Sequence, residues 1–262
     1  MANKSQAVNA RSASPGFRRG LLELRAGMEA TSLLLSYPLL RTLKGNGSHV
    51  MVMPGFNTSD HATYTLRNFL NSIGFQAHGW KLGVNQGMGH GKFSDLKSRL
   101  DDLHQSTGEP ISLVGFNMSG LYARALANLY ADKVRSIITL ATPFSAPSTV
   151  GMSNGVNRLY SFLSPVEGAT GSGSTNLWEA VPKLPSTSIY SKWDGITDWQ
   201  YCVDTQDVMT ENITVRGSHL GLVVNPLIYY LIADRLNESP GSWLSFSDRH
   251  RDNMLLSALM AV

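Results

Sequence analysis

Residues 111–120 read ISLVGFNMSG, and LYARALANLY follows at 121–130. Ile111, Leu113 and Val114 form the β-branched and apolar run of a buried strand. Gly115 opens a turn, and the Leu, Ala and Arg residues beyond it favour helix. A strand that runs through a glycine turn directly into a helix predicts a βα unit, and the fold then depends on whether such units recur along the chain.

They recur on both sides. HVMVMPG (49–55) predicts a buried strand ending in a turn, and HATYTLRNFLNSIG (61–74) a helix stopped by Gly74. FQAHGW (75–80) is a second strand. The glycine-rich loop KLGVNQGMGHGK (81–92) leads into a helix at about 93–106, where Phe93, Leu96, Leu100 and Leu103 repeat at helical spacing. VRSIITLATPF (134–144), TSIYSKWDG (187–195) and ENITVRGSH (211–219) supply further strands, and NPLIYYLIADRLNES (225–239) a closing helix. Strands alternating with helices in this way predict an α/β fold with a mostly parallel central sheet and helices on both faces.

Composition agrees with one large domain: 262 residues, of which 42% are hydrophobic, are enough to bury a sizeable core. The balance of 22 basic against 19 acidic residues gives no reason to expect a nucleic-acid partner. The single cysteine, Cys202, excludes an intramolecular disulfide, and in an apolar context it reads as core. Neither a metal nor a cofactor is expected. The histidines lack ligand spacing, and the glycine-rich loop lacks the GxxxxGK[ST] pattern of a phosphate loop.

Residues 1–16 read as a disordered basic tail without the apolar region of a signal peptide, and LLLSYPLL (33–40), interrupted by Pro38, is too short to span a bilayer. A cytoplasmic location is the expectation. Residues 17–45 form a helical extension, in which Leu21 to Leu35 has an apolar face with Arg25 and Glu29 on another. That helix is expected to pack on the domain; contact with a membrane surface is the alternative. Residues 46–240 form the core and 241–262 a C-terminal extension. At about 145–186 the rhythm breaks, and Met152, Leu159, Tyr160, Phe162, Leu163 and Trp178 suggest a cap or lid with its own apolar surface.

In an open α/β sheet, reactive groups gather beyond the C-terminal ends of the strands. Three such ends carry, in order, Asn117, Asp194 and His219. With VMVMPGFN, SLVGFNMSGLYARALA, ITLATPF, IYSKWDGITDW and VRGSHLGL, the chain resembles the α/β-hydrolase superfamily from about residue 46 to 240, and its lipase- and esterase-like branch most closely. That resemblance implies an ester or acyl substrate of apolar character. It also implies a nucleophile elbow, G-x-S-x-G, whose five positions here are Gly115, Phe116, Asn117, Met118 and Ser119. Asn117 then stands at the nucleophile position, Asp194 is the acid and His219 the base. The backbone N–H groups of Phe56 and Met118 form the oxyanion hole. Asp198 is the rival acid, and His61 and His90 lie in loops near the expected site.

A carboxamide nitrogen is delocalised and attacks poorly, so the acyl-enzyme route through residue 117 should be closed. Four readings follow. Ser119 could substitute, although it points roughly 200° around the helix from Asn117. His219 and Asp194 could act as a general base without a covalent step. Asn117 could deamidate to a nucleophilic aspartate. Or the protein could bind a ligand or partner without turnover.

Overall fold

The computed structural model describes residues 26–87, 91–144, 180–205 and 207–252. The basic tail, His90 and most of the expected cap lie outside the described residues. The chain runs α1 (Ala26–Leu40), β1 (His49–Met53), α2 (Tyr64–Ser72), β2 (Gln76–Gly79), α3 (Lys92–Thr107), β3 (Ile111–Phe116), α4 (Met118–Leu129), β4 (Val134–Leu140), β5 (Ser186–Ser191), β6 (Thr210–Val215), α5 (Pro226–Leu236) and the short α6 (Phe246–Arg249). The six strands form one sheet in the order β2-β1-β3-β4-β5-β6, with every neighbouring pair parallel.

A parallel sheet buried on both faces needs apolar side chains on both, and the strands supply them alternately. Val50 and Val52 of β1 join one core with Val114, Ile138 and Leu140, packed beneath Leu33, Phe69, Leu70, Tyr229 and Ile232 of α1, α2 and α5. Met51 and Met53 join the opposite core with Leu113 and Ile137, covered by Leu96, Leu100 and Leu103 of α3 and Leu121 and Leu126 of α4. The chain leaves β1 towards β2 on one side and returns to β3 on the other. The carboxyl ends of β1 and β3 therefore flank the crevice where such sheets place their ligands.

The N-terminal helix differs from its sequence reading in span and in orientation. It continues through Pro38, whose missing N–H faces the carbonyl of residue 34 on an exposed side, where water can take its place. Its one charged residue, Glu29, points towards the protein. The exposed positions are Gly27, Met28, Thr31, Leu34, Leu35, Pro38 and Leu39, all uncharged. Apolar side chains thus lie on both sides of the helix, with Leu33 and Leu40 buried and Met28, Leu34, Leu35 and Leu39 exposed.

Candidate active site

Asn117 follows β3 directly and opens α4 with φ 48° and ψ −114°, a conformation that neither strand nor helix permits. Its neighbours hold it there. The Asn117 N–H donates to the Leu140 carbonyl at 2.8 Å, and the Asn117 carbonyl accepts from Thr142 Oγ1 at 2.9 Å and from the Gly120 N–H at 3.1 Å. The turn is tight because two glycines meet in it. A Cβ on Gly115 would lie 2.6 Å from the Gly120 nitrogen, and one on Gly120 would collide with the Thr142 side chain.

The close approach therefore falls to Gly120, one residue beyond the last position of the G-x-S-x-G pattern, and leaves room for a side chain at residue 119. Ser119 is fully buried; its hydroxyl donates to the Pro54 carbonyl and accepts from Asn85 Nδ2 at 3.0 Å. Asn85, also fully buried, reaches the same Pro54 carbonyl at 2.9 Å and exchanges backbone bonds with Asn57 (2.7 Å) and Thr58 (2.8 Å). The structure thus ties Ser119 to the turn after β1 and away from His219.

Asp194 and His219 come together from the ends of β5 and β6. Asp194 Oδ2 lies 2.6 Å from His219 Nδ1, and the carboxylate is almost wholly buried. Its other oxygen accepts the N–H groups of Ile196 (2.8 Å) and Thr197 (2.7 Å), so its charge is satisfied without water. A carboxylate at Nδ1 keeps the proton on that nitrogen and turns the Nε2 lone pair outward. Facing it at 3.4 Å is Asn117 Nδ2, whose second hydrogen bond goes to Thr197 Oγ1 at 3.1 Å. The arrangement is an imidazole held by a carboxylate at Nδ1 and facing a carboxamide at Nε2.

The remaining candidates are placed as follows. The turn 54–58 carrying Phe56 approaches Phe116 beside the elbow, since a Cβ on Gly55 would lie 3.7 Å from Phe116 Cβ. Met118 is the first residue of α4, where an amide has no acceptor within its own helix. Asp198 caps the single turn Trp199–Cys202 by accepting the Gln200 N–H at 3.3 Å. His61 sits in an exposed turn, where its carbonyl accepts the Tyr64 N–H at 3.3 Å. Cys202 is buried, and burial, with the charges of Asp194 and Asp198, pushes its thiol well above the ordinary range. Among the described residues, no group of three or more His, Cys, Asp or Glu could hold a metal ion.

Sequence reasoning missed Thr197, Thr142, Asn85 and Glu29. Thr197, three residues after Asp194, had a local signal, because a D-x-x-T turn lets the carboxylate accept the threonine amide. The others act across the fold and leave no local pattern.

No protein-family model matches the chain, and no curated protein matches it. Solved structures do. A Bacillus licheniformis lipase in its mature form superposes with a TM-score of 0.52 at 15% identity, over 74% of this chain and 94% of that one. A pyrethroid hydrolase from Sphingobium faniae JZ-2 gives 0.51 at 14% identity, over 74% of this chain and 100% of the other. At such identities the likeness establishes the fold: this is an α/β-hydrolase fold, as its sequence phrases imply.

Proposed function

We propose that the protein hydrolyses an ester or acyl compound of apolar character, with His219 as general base, Asp194 as its orienting acid and Asn117 as a substrate-holding carboxamide. The observation that carries this reading is the 2.6 Å Asp194–His219 pair, its carboxylate buried and hydrogen-bonded and its imidazole facing residue 117. When the Asn117 amide turns aside, a water can take its place at Nε2. His219 removes the water's proton as its oxygen bonds to the substrate carbonyl carbon, and the carbonyl oxygen gathers negative charge. The N–H groups of Met118 and Phe56 receive that charge. Collapse of the tetrahedral species expels the leaving group, which takes the proton back from the imidazolium. Exposed Trp193 and Leu220, the sequence neighbours of Asp194 and His219, supply an apolar surface suited to an acyl chain.

The test is turnover of p-nitrophenyl esters of several chain lengths. Wild type is expected to hydrolyse at least one of them slowly, and His219→Ala to lose about 100-fold or more of that rate while remaining folded. Equal rates in the two proteins would end the assignment. A binding role without turnover is the second reading. It is favoured by the Asn117 amide, which occupies the lone pair that the base must use. In that case wild type is silent and ligand affinity depends on Asn117.

The outward face of α1 adds a partner to this reading. Met28, Leu34, Leu35 and Leu39 are 72%, 76%, 80% and 73% exposed, and Arg41 and Lys44 stand exposed just beyond them. Apolar side chains flanked by cations suit the surface of an anionic bilayer. Wild type should co-sediment with phosphatidylserine-containing vesicles and Leu34→Glu/Leu35→Glu should not. Equal sedimentation of both, or of neither, would discard the contact.

A further inference from the structure

His219 stands in GSHLG (217–221), and this loop closes around a carboxylate that comes from the far end of the sequence. Glu29 Oε1 accepts the Ser218 N–H at 3.0 Å, and Oε2 accepts the Ser218 hydroxyl at 2.8 Å. The Ser218 oxygen accepts in turn from the Gly221 N–H at 3.1 Å, while the Ser218 carbonyl takes the Leu222 N–H at 3.0 Å. The glycines on either side make this possible. A Cβ on Gly217 would lie 3.2 Å from Glu29 Oε1, and one on Gly221 would collide with the same carboxylate.

We infer that Glu29 is a positioning residue for His219: by gripping Ser218 through both its amide and its hydroxyl, the N-terminal helix sets the loop that aims the imidazole. The role rests on the reading of His219 as the base. A loop of five residues with glycine at both ends has many accessible conformations, and only some bring Nδ1 to Asp194. Glu29 is the sole charged residue of α1, and it is turned inward at a place where an apolar side chain would pack with less desolvation cost. Two charge-assisted hydrogen bonds to one residue offset that cost and hold the loop in register.

The His219 Nδ1 proton, held between nitrogen and the Asp194 carboxylate, gives a low-field proton resonance that reads loop geometry without any substrate. In Glu29→Ala this resonance is expected to broaden or vanish at a pH where wild type shows it, with the far-UV spectrum unchanged. In Glu29→Gln, whose amide can still accept from the Ser218 N–H and donate to its hydroxyl, it should persist. Placed on an Asn117→Ser background, Glu29→Ala should lower kcat by about 10- to 100-fold with KM little changed, and Glu29→Gln should restore most of it. If Glu29→Ala does not fold, Ser218→Ala removes the hydroxyl half of the grip and should broaden the same resonance. An unchanged resonance in a folded Glu29→Ala or, failing that, in Ser218→Ala overturns the inference. A lost resonance in a protein that never hydrolyses an ester keeps the positioning role and removes only the catalytic reading of the site.

Discussion

Asn117→Ser is expected to hydrolyse short p-nitrophenyl esters at least about 100-fold faster than the wild-type protein, because it supplies a nucleophile to the base proposed at His219. The elbow already holds residue 117 at φ 48° and ψ −114° through contacts made by its backbone and by Thr142, none of which uses the asparagine side chain. The Asp194–His219 pair is assembled, with Nε2 directed at residue 117. A serine there would place a hydroxyl where the carboxamide now lies, within reach of a base that can take its proton, and convert slow attack by water into acyl transfer. Asn117→Ser/His219→Ala should return to the wild-type rate or below, and Asn117→Ala should gain nothing. If Asn117→Ser hydrolyses no faster and does not react with a fluorophosphonate, the geometry assigned to the base and oxyanion donors is wrong.

The second large effect concerns stability. Asp204→Ala should lower the melting temperature by about 6–20 °C, equivalent to about 3–5 kcal/mol for a chain of this size. Arg124 Nη1 and Asp204 Oδ2 lie 2.8 Å apart, and both side chains are only 1% exposed. Removing the carboxylate breaks a buried ion pair from one side, which costs far more than the pair contributes when intact. The same guanidinium stacks 4.3 Å from the Phe144 ring, and Arg124 Nε and Asn128 Nδ2 both donate to the Ala180 carbonyl, at 2.8 and 2.9 Å. Phe144 and Ala180 are thus fixed to α4 by one cation and its neighbour. Arg124→Met/Asp204→Leu, which removes both charges, should recover much of the loss in thermal unfolding followed by circular dichroism. A shift within about 1 °C for Asp204→Ala would show that water reaches the pair and screens it.

The fold was legible because it rests on period and punctuation. Leu96, Leu100 and Leu103 are the buried residues of α3, as their spacing implied, and ISLVGF is a strand buried along its whole length. The structure also brings Asn117, Asp194 and His219 together, since chain order in an open parallel sheet maps directly onto the row of strand ends. What could not be read were contacts whose two halves lie far apart in sequence. Glu29 and Ser218 are 189 residues apart, and Ser119 and Pro54 are 65 apart. Glu29 in particular misled. A charge on an otherwise apolar helix is expected to face water, and here a pair of donors in the His219 loop outweighs that preference. Ser119 showed the opposite effect: a serine where the G-x-S-x-G pattern has glycine is accommodated because the close approach falls to Gly120.

The strained backbone at residue 117 also bears on descent. It is imposed by Leu140, Thr142 and the paired glycines, so it does not depend on which side chain stands there. Asparagine is among the few residues other than glycine that often adopt a positive φ, which eases its entry into such a position. In the genetic code its codons differ from two of the serine codons by a single transition. Residues 117, 194 and 219 are therefore one base substitution away from reading Ser, Asp and His, on a backbone that already holds the first of them at a positive φ.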